Sequence, residues 1–270
     1  MKSPARVLTI AGSDSGGGAG IEADIKTISA LGGYACTAIT ALTAQNTIGV
    51  FGIHILPADF VALTIRTVLA DIGADAIKIG MLADAEIVAA VAKTLPALPI
   101  VLDPVMISTS GASLLAPAAI EAMRRSLIPR ATLITPNLPE TAALTGICVT
   151  APAEFATAGR ALLALGAGAA LIKGGHAEGG PAEGDTLTDI LVHAGGIEAI
   201  TYPRIITRNT HGTGCTLAAA IATGLAQRMT LLDAVHRARH YLQNAILNAP
   251  NFGAGNGPLW HGADRDTHPV

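Results

Sequence analysis

Residues 75–104 read DAIKIGMLADAEIVAAVAKTLPALPIVLDP. A short apolar run, DAIKIG, stops at glycine, an amphipathic stretch near Glu86 to Thr94 follows, and a second apolar run, PIVLDP, stops at Asp-Pro. Two such runs joined by a helix make the strand–helix–strand unit of a parallel sheet. Working outward, the unit repeats. Towards the N-terminus lie RVLTIAG with a helix near Ile21 to Leu31, and YACTAITALTA with a helix near Pro57 to Asp71. Towards the C-terminus, helices are expected near Pro117 to Leu127, after ATLITPN at Pro139 to Leu144, and from about Ala153 to Leu165 ahead of AALIKGG.

The pattern breaks after Gly175. HAEGGPAEGD reads as a surface loop, and TLTDILVH and GIEAITYPRI read as two strands that pair antiparallel at one edge of the sheet. Helices near Thr216 to Ala226 and Leu231 to Ala249 complete an α/β fold with a mostly parallel central sheet covered on both faces. With no repeat and no linker, the expectation is one domain over 1–270, with a Gly/Pro/Asn-rich tail that frays from about 250 to 270.

Half the residues are hydrophobic and the mean hydropathy is +0.50, but no apolar run reaches the roughly 18 residues that span a bilayer. The N-terminus lacks the pattern of a secretory signal, so a cytoplasmic protein is expected. Cys36, Cys148 and Cys215 match neither a disulfide framework nor a zinc site. A net charge of -3 and 3% aromatic residues offer no stripe or stacking platform for nucleic acid. An anionic ligand would have to be held by local groups.

In such a fold, ligands collect at the carboxyl ends of the strands. Those ends carry AGSDSGGGAGIEAD, TAQN, KIGML, LDPVM, ITPNLPE and IKGGH. GSDSGGGAG has five glycines in nine positions but fits neither a dinucleotide fingerprint nor a P-loop, and reads as a loop that covers substrate or, more plainly, as a tight turn. HGTGCT, residues 211–216, leads into an alanine-rich helix. There the amides of Gly212, Thr213 and Gly214 would form an anion cradle suited to a transferring phosphoryl group. Cys215 stands in the first turn, where a helix N-terminus lowers a thiol pKa. Three roles stay open for it: general base for an alcohol, nucleophile beside His211, or small packed residue.

Asp103 and Glu140 follow strands and could hold Mg2+, while Asp103 and Asn137 could equally cap turns beside prolines. Lys173 ends an apolar strand and needs an anionic partner, either a nucleotide phosphate or Glu140, and Lys78 is expected in a structural ion pair.

Taken in order, TIAGSDSGGGAGIEADIKT, ALTAQNT, IKIGML, VLDPVM, LITPNLPE, LIKGGH and NTHGTGCT resemble the hydroxymethylpyrimidine/phosphomethylpyrimidine kinases of thiamine biosynthesis, within the ribokinase-like superfamily. The resemblance covers about Val7 to Ala249. It implies a three-layer α/β/α sandwich and transfer of the ATP γ-phosphate to 4-amino-5-hydroxymethyl-2-methylpyrimidine, then to its monophosphate. It implies Cys215 as base at the Gly212-Thr213-Gly214 anion hole, and Gln45, Gly12, Ala19, Asp24, Met81 and Val105 around the pyrimidine. Asn137 and Lys173 fall on the nucleotide, Asp103 and Glu140 on Mg2+, and a homodimer is suggested. Two departures are Thr109, where many members carry lysine, and Glu22 in place of a frequent glutamine. The alternatives are a pyridoxal or pyridoxine kinase of the same superfamily, a non-catalytic pyrimidine- or nucleotide-binding sensor and, more remotely, a nicotinamide-dependent oxidoreductase.

Overall fold

The computed structural model describes residues 3–108, 111, 114–174 and 186–262. Nine strands form one sheet in the order β3-β2-β1-β4-β5-β6-β7-β8-β9. The strands are β1 (Arg6–Asp14), β2 (Tyr34–Gln45), β3 (Val50–Ile55), β4 (Ala76–Ile79), β5 (Ile100–Leu102), β6 (Leu133–Ile134), β7 (Ala169–Ile172), β8 (Thr186–His193) and β9 (Gly196–Pro203). From β2 to β7 every pairing is parallel. The helices are α1 (Gly20–Ala30), α2 (Ala58–Asp71), α3 (Ala85–Thr94), α4 (Pro117–Ser126), α5 (Leu138–Thr145), α6 (Pro152–Ala164), α7 (Thr213–Ala226) and α8 (Leu231–Leu247).

Alternation along the central strands divides the core in two. Ile77, Ile79, Ile100, Leu102, Ile134, Ala170 and Ile172 face one side and pack with residues of α2 to α6, including Val61, Ile87, Met123, Leu144 and Leu162. Ala76, Val101, Leu133, Ala169 and Leu171 face the other and pack on Ile28 of α1 and on α7 and α8. Both faces of β4, β5 and β7 are therefore buried, which is why they read as unbroken apolar runs. On α7 the side chains from Thr216 to Gly224 are all buried. Its alanines let the helix lie close against the sheet.

Two differences from the sequence reading have physical causes. First, antiparallel strands flank both edges: the β8–β9 hairpin is joined by β3, which pairs antiparallel with β2 at the far edge. β3 is almost wholly exposed, so it lacks the buried-face alternation that marks a strand in sequence. Secondly, the tail does not fray at 250. Leu259 and His261 are buried, and Trp260 N–H donates to Ala245 O at 3.0 Å. Glycine and asparagine, read as signs of looseness, here allow close packing. The loop 176–185, Thr109 and residues 263–270 lie outside the described residues. No described helix is long and apolar enough to cross a membrane.

Candidate active site

The ends of β1, β2, β4, β5, β6 and β7 meet the start of α7 around a cavity of about 650 Å³. Its lining includes Gly12, Ala19, Gln45, Met81, Val105, Asp103, Asn137, Glu140, Lys173 and the run from His211 to Cys215. Apart from Asp24, every site residue expected from the sequence borders this one space.

The start of α7 depends on one glycine. Gly212 sits at φ 85° as the helix N-cap, and a Cβ there would lie 1.8 Å from Gly18 O. A side chain is thus excluded both by conformation and by the glycine-rich loop pressed against it. The Thr213 N–H turns back to Thr210 O at 3.4 Å. Amides in a first turn lack an intrahelical acceptor, and the helix dipole adds positive potential there. Gly212, Thr213 and Gly214 border the cavity at this helix start.

Asp14 explains how the loop reaches Gly212. Its Oδ2 accepts from Gly18 N–H (3.0 Å) and Ala19 N–H (2.8 Å), Oδ1 accepts from Gly16 N–H (2.8 Å), and Oδ2 lies 2.7 Å from His211 Nε2. Burial pushes the Asp14 carboxyl up, but the His211 contact and the loop amides outweigh it and hold the pKa at about 2. Glu22 accepts from Ser13 Oγ (2.6 Å) and Asp14 N–H (2.7 Å) and so pins the same loop. The Asp14–His211 pairing was not read from sequence. Its partners are 197 residues apart, and only the Asp within GSDSG hinted at a group that could gather loop amides.

Gln45 ends β2, and its backbone is clasped by Ser15, which receives Gln45 N–H and donates to Gln45 O, both at 2.9 Å. Met81 packs beneath Gly12, where an added Cβ would come within 2.7 Å of its Sδ. Asp24 does not reach the cavity. It is fully buried, 2.8 Å from Lys78 Nζ, and accepts from Thr9 Oγ1 at 2.5 Å. Its place on the inner face of α1 opposite β4 makes it the partner of Lys78 rather than a wall of the cavity.

At the other end, Lys173 Nζ lies 3.0 Å from Asp103 Oδ1 and 4.0 Å from Glu140 Oε2. Asn137 and Glu140 exchange bonds as a capping box at the start of α5, each at 2.8 Å, so the Asn137 side chain has the turn-capping role allowed for it. Burial, reinforced by Asp103 and opposed by Lys173, pushes the Glu140 carboxyl up to about 7.

Cys215 corrects an expectation. Its thiol is open to the cavity on one side yet enclosed on the others, and burial pushes its pKa up to about 11. Lys78 and a bond from Gly20 N–H oppose this, while Asp24 and Asp103 add to it. Desolvation outweighs the helix N-terminus. A thiol whose pKa is about 11 is protonated at neutrality. A titration followed by thiolate absorbance near 240 nm should therefore show the Cys215 component, defined against Cys215→Ala, rising only at strongly alkaline pH. A step near pH 7 would contradict this assignment.

A family model described as phosphomethylpyrimidine kinase matches residues 14–260. The chain is 47% identical over 264 residues to the hydroxymethylpyrimidine/phosphomethylpyrimidine kinase of Escherichia coli, covering 94% of this chain and 96% of that one. It is 46% identical over 258 residues to the thiamine biosynthesis bifunctional protein ThiED of Geobacter sulfurreducens, where it spans 52% of the longer protein. Among solved structures it resembles an ADP complex of Bacillus subtilis pyridoxal kinase, with a TM-score of 0.87, 33% identity and coverage of 97% and 99% of the two chains.

Proposed function

Since the chain belongs to the phosphomethylpyrimidine kinase family, we propose that its cavity holds 4-amino-5-hydroxymethyl-2-methylpyrimidine between Gln45 and the start of α7. The protein is an ATP-dependent kinase of thiamine biosynthesis that phosphorylates this alcohol and then its monophosphate to the pyrophosphate. One observation carries the placement: a carboxamide suited to an aminopyrimidine edge and an anion cradle open on the same cavity.

The hydroxymethyl oxygen attacks the γ-phosphorus in line, the bond to the ADP oxygen breaks, and the hydroxyl proton passes to the Cys215 thiolate. The Gly212-Thr213-Gly214 start of α7, whose Thr213 N–H is shared with Thr210 O, would supply first-turn amides and the positive helix end to the charge on the transferring group. Lys173 and Asn137 lie on the nucleotide side, and Gly12, Ala19, Met81 and Val105 wall the ring. Asp103 and Glu140 fit a Mg2+ ion. They are buried carboxylates sharing one ammonium, and burial, the main cause of the upward shift of Glu140, is a cost that a cation placed between them would offset. With two carboxylates, water and phosphate oxygens would complete its shell, and such an ion would neutralise charge on the phosphates.

Gln45→Ala should raise KM for the pyrimidine about tenfold through the loss of polar contacts, with ADP affinity unchanged. Equal loss for ADP would remove Gln45 from the substrate end. The function itself is tested by ADP production with Mg-ATP and, separately, the pyrimidine, its monophosphate and pyridoxal, with products identified by mass. Turnover of pyridoxal alone would replace the pyrimidine reading with that of a pyridoxal kinase. A cytoplasmic location and a homodimer complete the proposal. Phe51, Ile53 and Ile55 of β3 and Phe60 and Leu63 of α2 are exposed apolar residues, of the kind that a second copy would cover. Sedimentation at the mass of one chain would exclude the dimer.

A further inference from the structure

Residues 251–262 form a strap held at each step of its path. Arg208 donates to Asn251 O (3.2 Å) and Ala254 O (3.4 Å), and Gly255 N–H reaches Thr47 Oγ1 at 3.2 Å. Asn256 N–H donates to Thr47 O at 2.9 Å, Gly257 N–H to Arg208 O at 3.2 Å, and His211 N–H to Gly257 O at 3.1 Å. Pro258 packs against Gly18, where an added Cβ would lie 3.0 Å from the proline Cβ. The strap is locked down beyond this point by Tyr241 Oη donating to His261 O at 2.7 Å and by His261 Nε2 at 3.0 Å from Thr216 Oγ1.

Asn256 is the strap residue that borders the cavity. Its N–H is held by the carbonyl of Thr47, two residues beyond Gln45, and the next strap residue, Gly257, accepts from the N–H of His211, the partner of Asp14. We propose that Asn256 is a specificity-determining residue whose carboxamide hydrogen-bonds the pyrimidine substrate, as a second reader of its polar groups beside Gln45. A carboxamide offers one acceptor and two donors, which suits a ring carrying both an amino group and basic nitrogens. The N–H groups of Gly255, Asn256 and Gly257 and the carbonyl of Gly257, which bind Thr47, Arg208 and His211, belong to the main chain and are kept in Asn256→Ala and Asn256→Asp.

This inference rests on the pyrimidine reading of the cavity, and the test separates the two. Wild type, Asn256→Ala and the near-isosteric Asn256→Asp are compared for KM and kcat with hydroxymethylpyrimidine and with pyridoxal, and for ADP affinity. Asn256→Ala should raise the pyrimidine KM about fivefold to tenfold, the effect of one lost neutral hydrogen bond, with ADP affinity unchanged. Asn256→Asp, which exchanges the donor half for an acceptor, should change the ratio of kcat/KM for pyrimidine over pyridoxal by at least about threefold. An unchanged pyrimidine KM and ratio would overturn the proposal, as would parallel losses for pyrimidine and ADP, which would mark Asn256 as a purely structural residue. Wild type inert towards the pyrimidine would overturn the reading beneath it as well.

Discussion

Cys215→Ala is expected to lower kcat by about a hundredfold to ten-thousandfold, the usual range for a lost general base, while ADP affinity stays close to wild type. The split follows from position. Cys215 lies in the first turn of α7 on the cavity side, and the ion pairs among Asp103, Glu140 and Lys173 at the ends of β5 to β7 are made without it. The pH profile gives a sharper reading. With the thiol pKa at about 11, the thiolate is a small fraction near neutrality that grows tenfold per pH unit, so kcat should climb on the alkaline side wherever chemistry limits turnover. Cys215→Ala should lose that climb. Cys215→Asp, with a carboxylate already ionised at neutrality, should keep part of the activity and show a flatter profile. Equal turnover in wild type and Cys215→Ala would leave the thiol a packed bystander.

The second large effect concerns stability. Lys78→Met should destabilise the fold by about 3–5 kcal/mol, because it leaves the Asp24 carboxylate buried without its ammonium. Both partners are 0% exposed at their side chains, and Asp24 Oδ1 has no hydrogen-bond partner among the described residues. The double variant Lys78→Met/Asp24→Leu should recover most of that loss, since a buried pair exchanged for apolar residues of similar volume is often near neutral. Denaturant midpoints of the three proteins measure this, and a mild single variant would mean that Asp24 is relieved by another cation. The pair stands on the face of β4 that meets α1 and α7, and Lys78 acts on the Cys215 thiol against its desolvation. A stable double variant with a lower kcat would separate these two roles.

Much of the fold was legible because its signals are local. Runs such as IKIG and IVLD stand out because both sheet faces are buried, and helices such as Ala85–Thr94 announce themselves by amphipathic spacing. The cavity lining was legible for a different reason: parallel strands deliver their carboxyl ends to one side. What sequence could not supply were relations between distant segments. β3 is exposed and carries no pattern. Asp24 was placed at the substrate because its motif lies beside the glycine loop, whereas the helix turns its side chain inward to Lys78. The thiol pKa was misjudged because a helix N-terminus is visible in sequence and the depth of burial is not. The strap was misjudged because its glycines and asparagines find their partners at Thr47 and Arg208, some two hundred and some forty positions earlier.

The strap also sets when the enzyme can exist during its own synthesis. β1 needs β2 on one side and β4 on the other, so the N-terminal half of the sheet can assemble while the rest is still being made. Asn256 and the support of His211 by Gly257 arrive far later, and the clamp through His261 later still. A nascent chain halted before these residues would carry all nine strands of the described sheet yet lack one wall of the cavity. Ribosome-stalled chains should therefore resist proteolysis well before they acquire kinase activity.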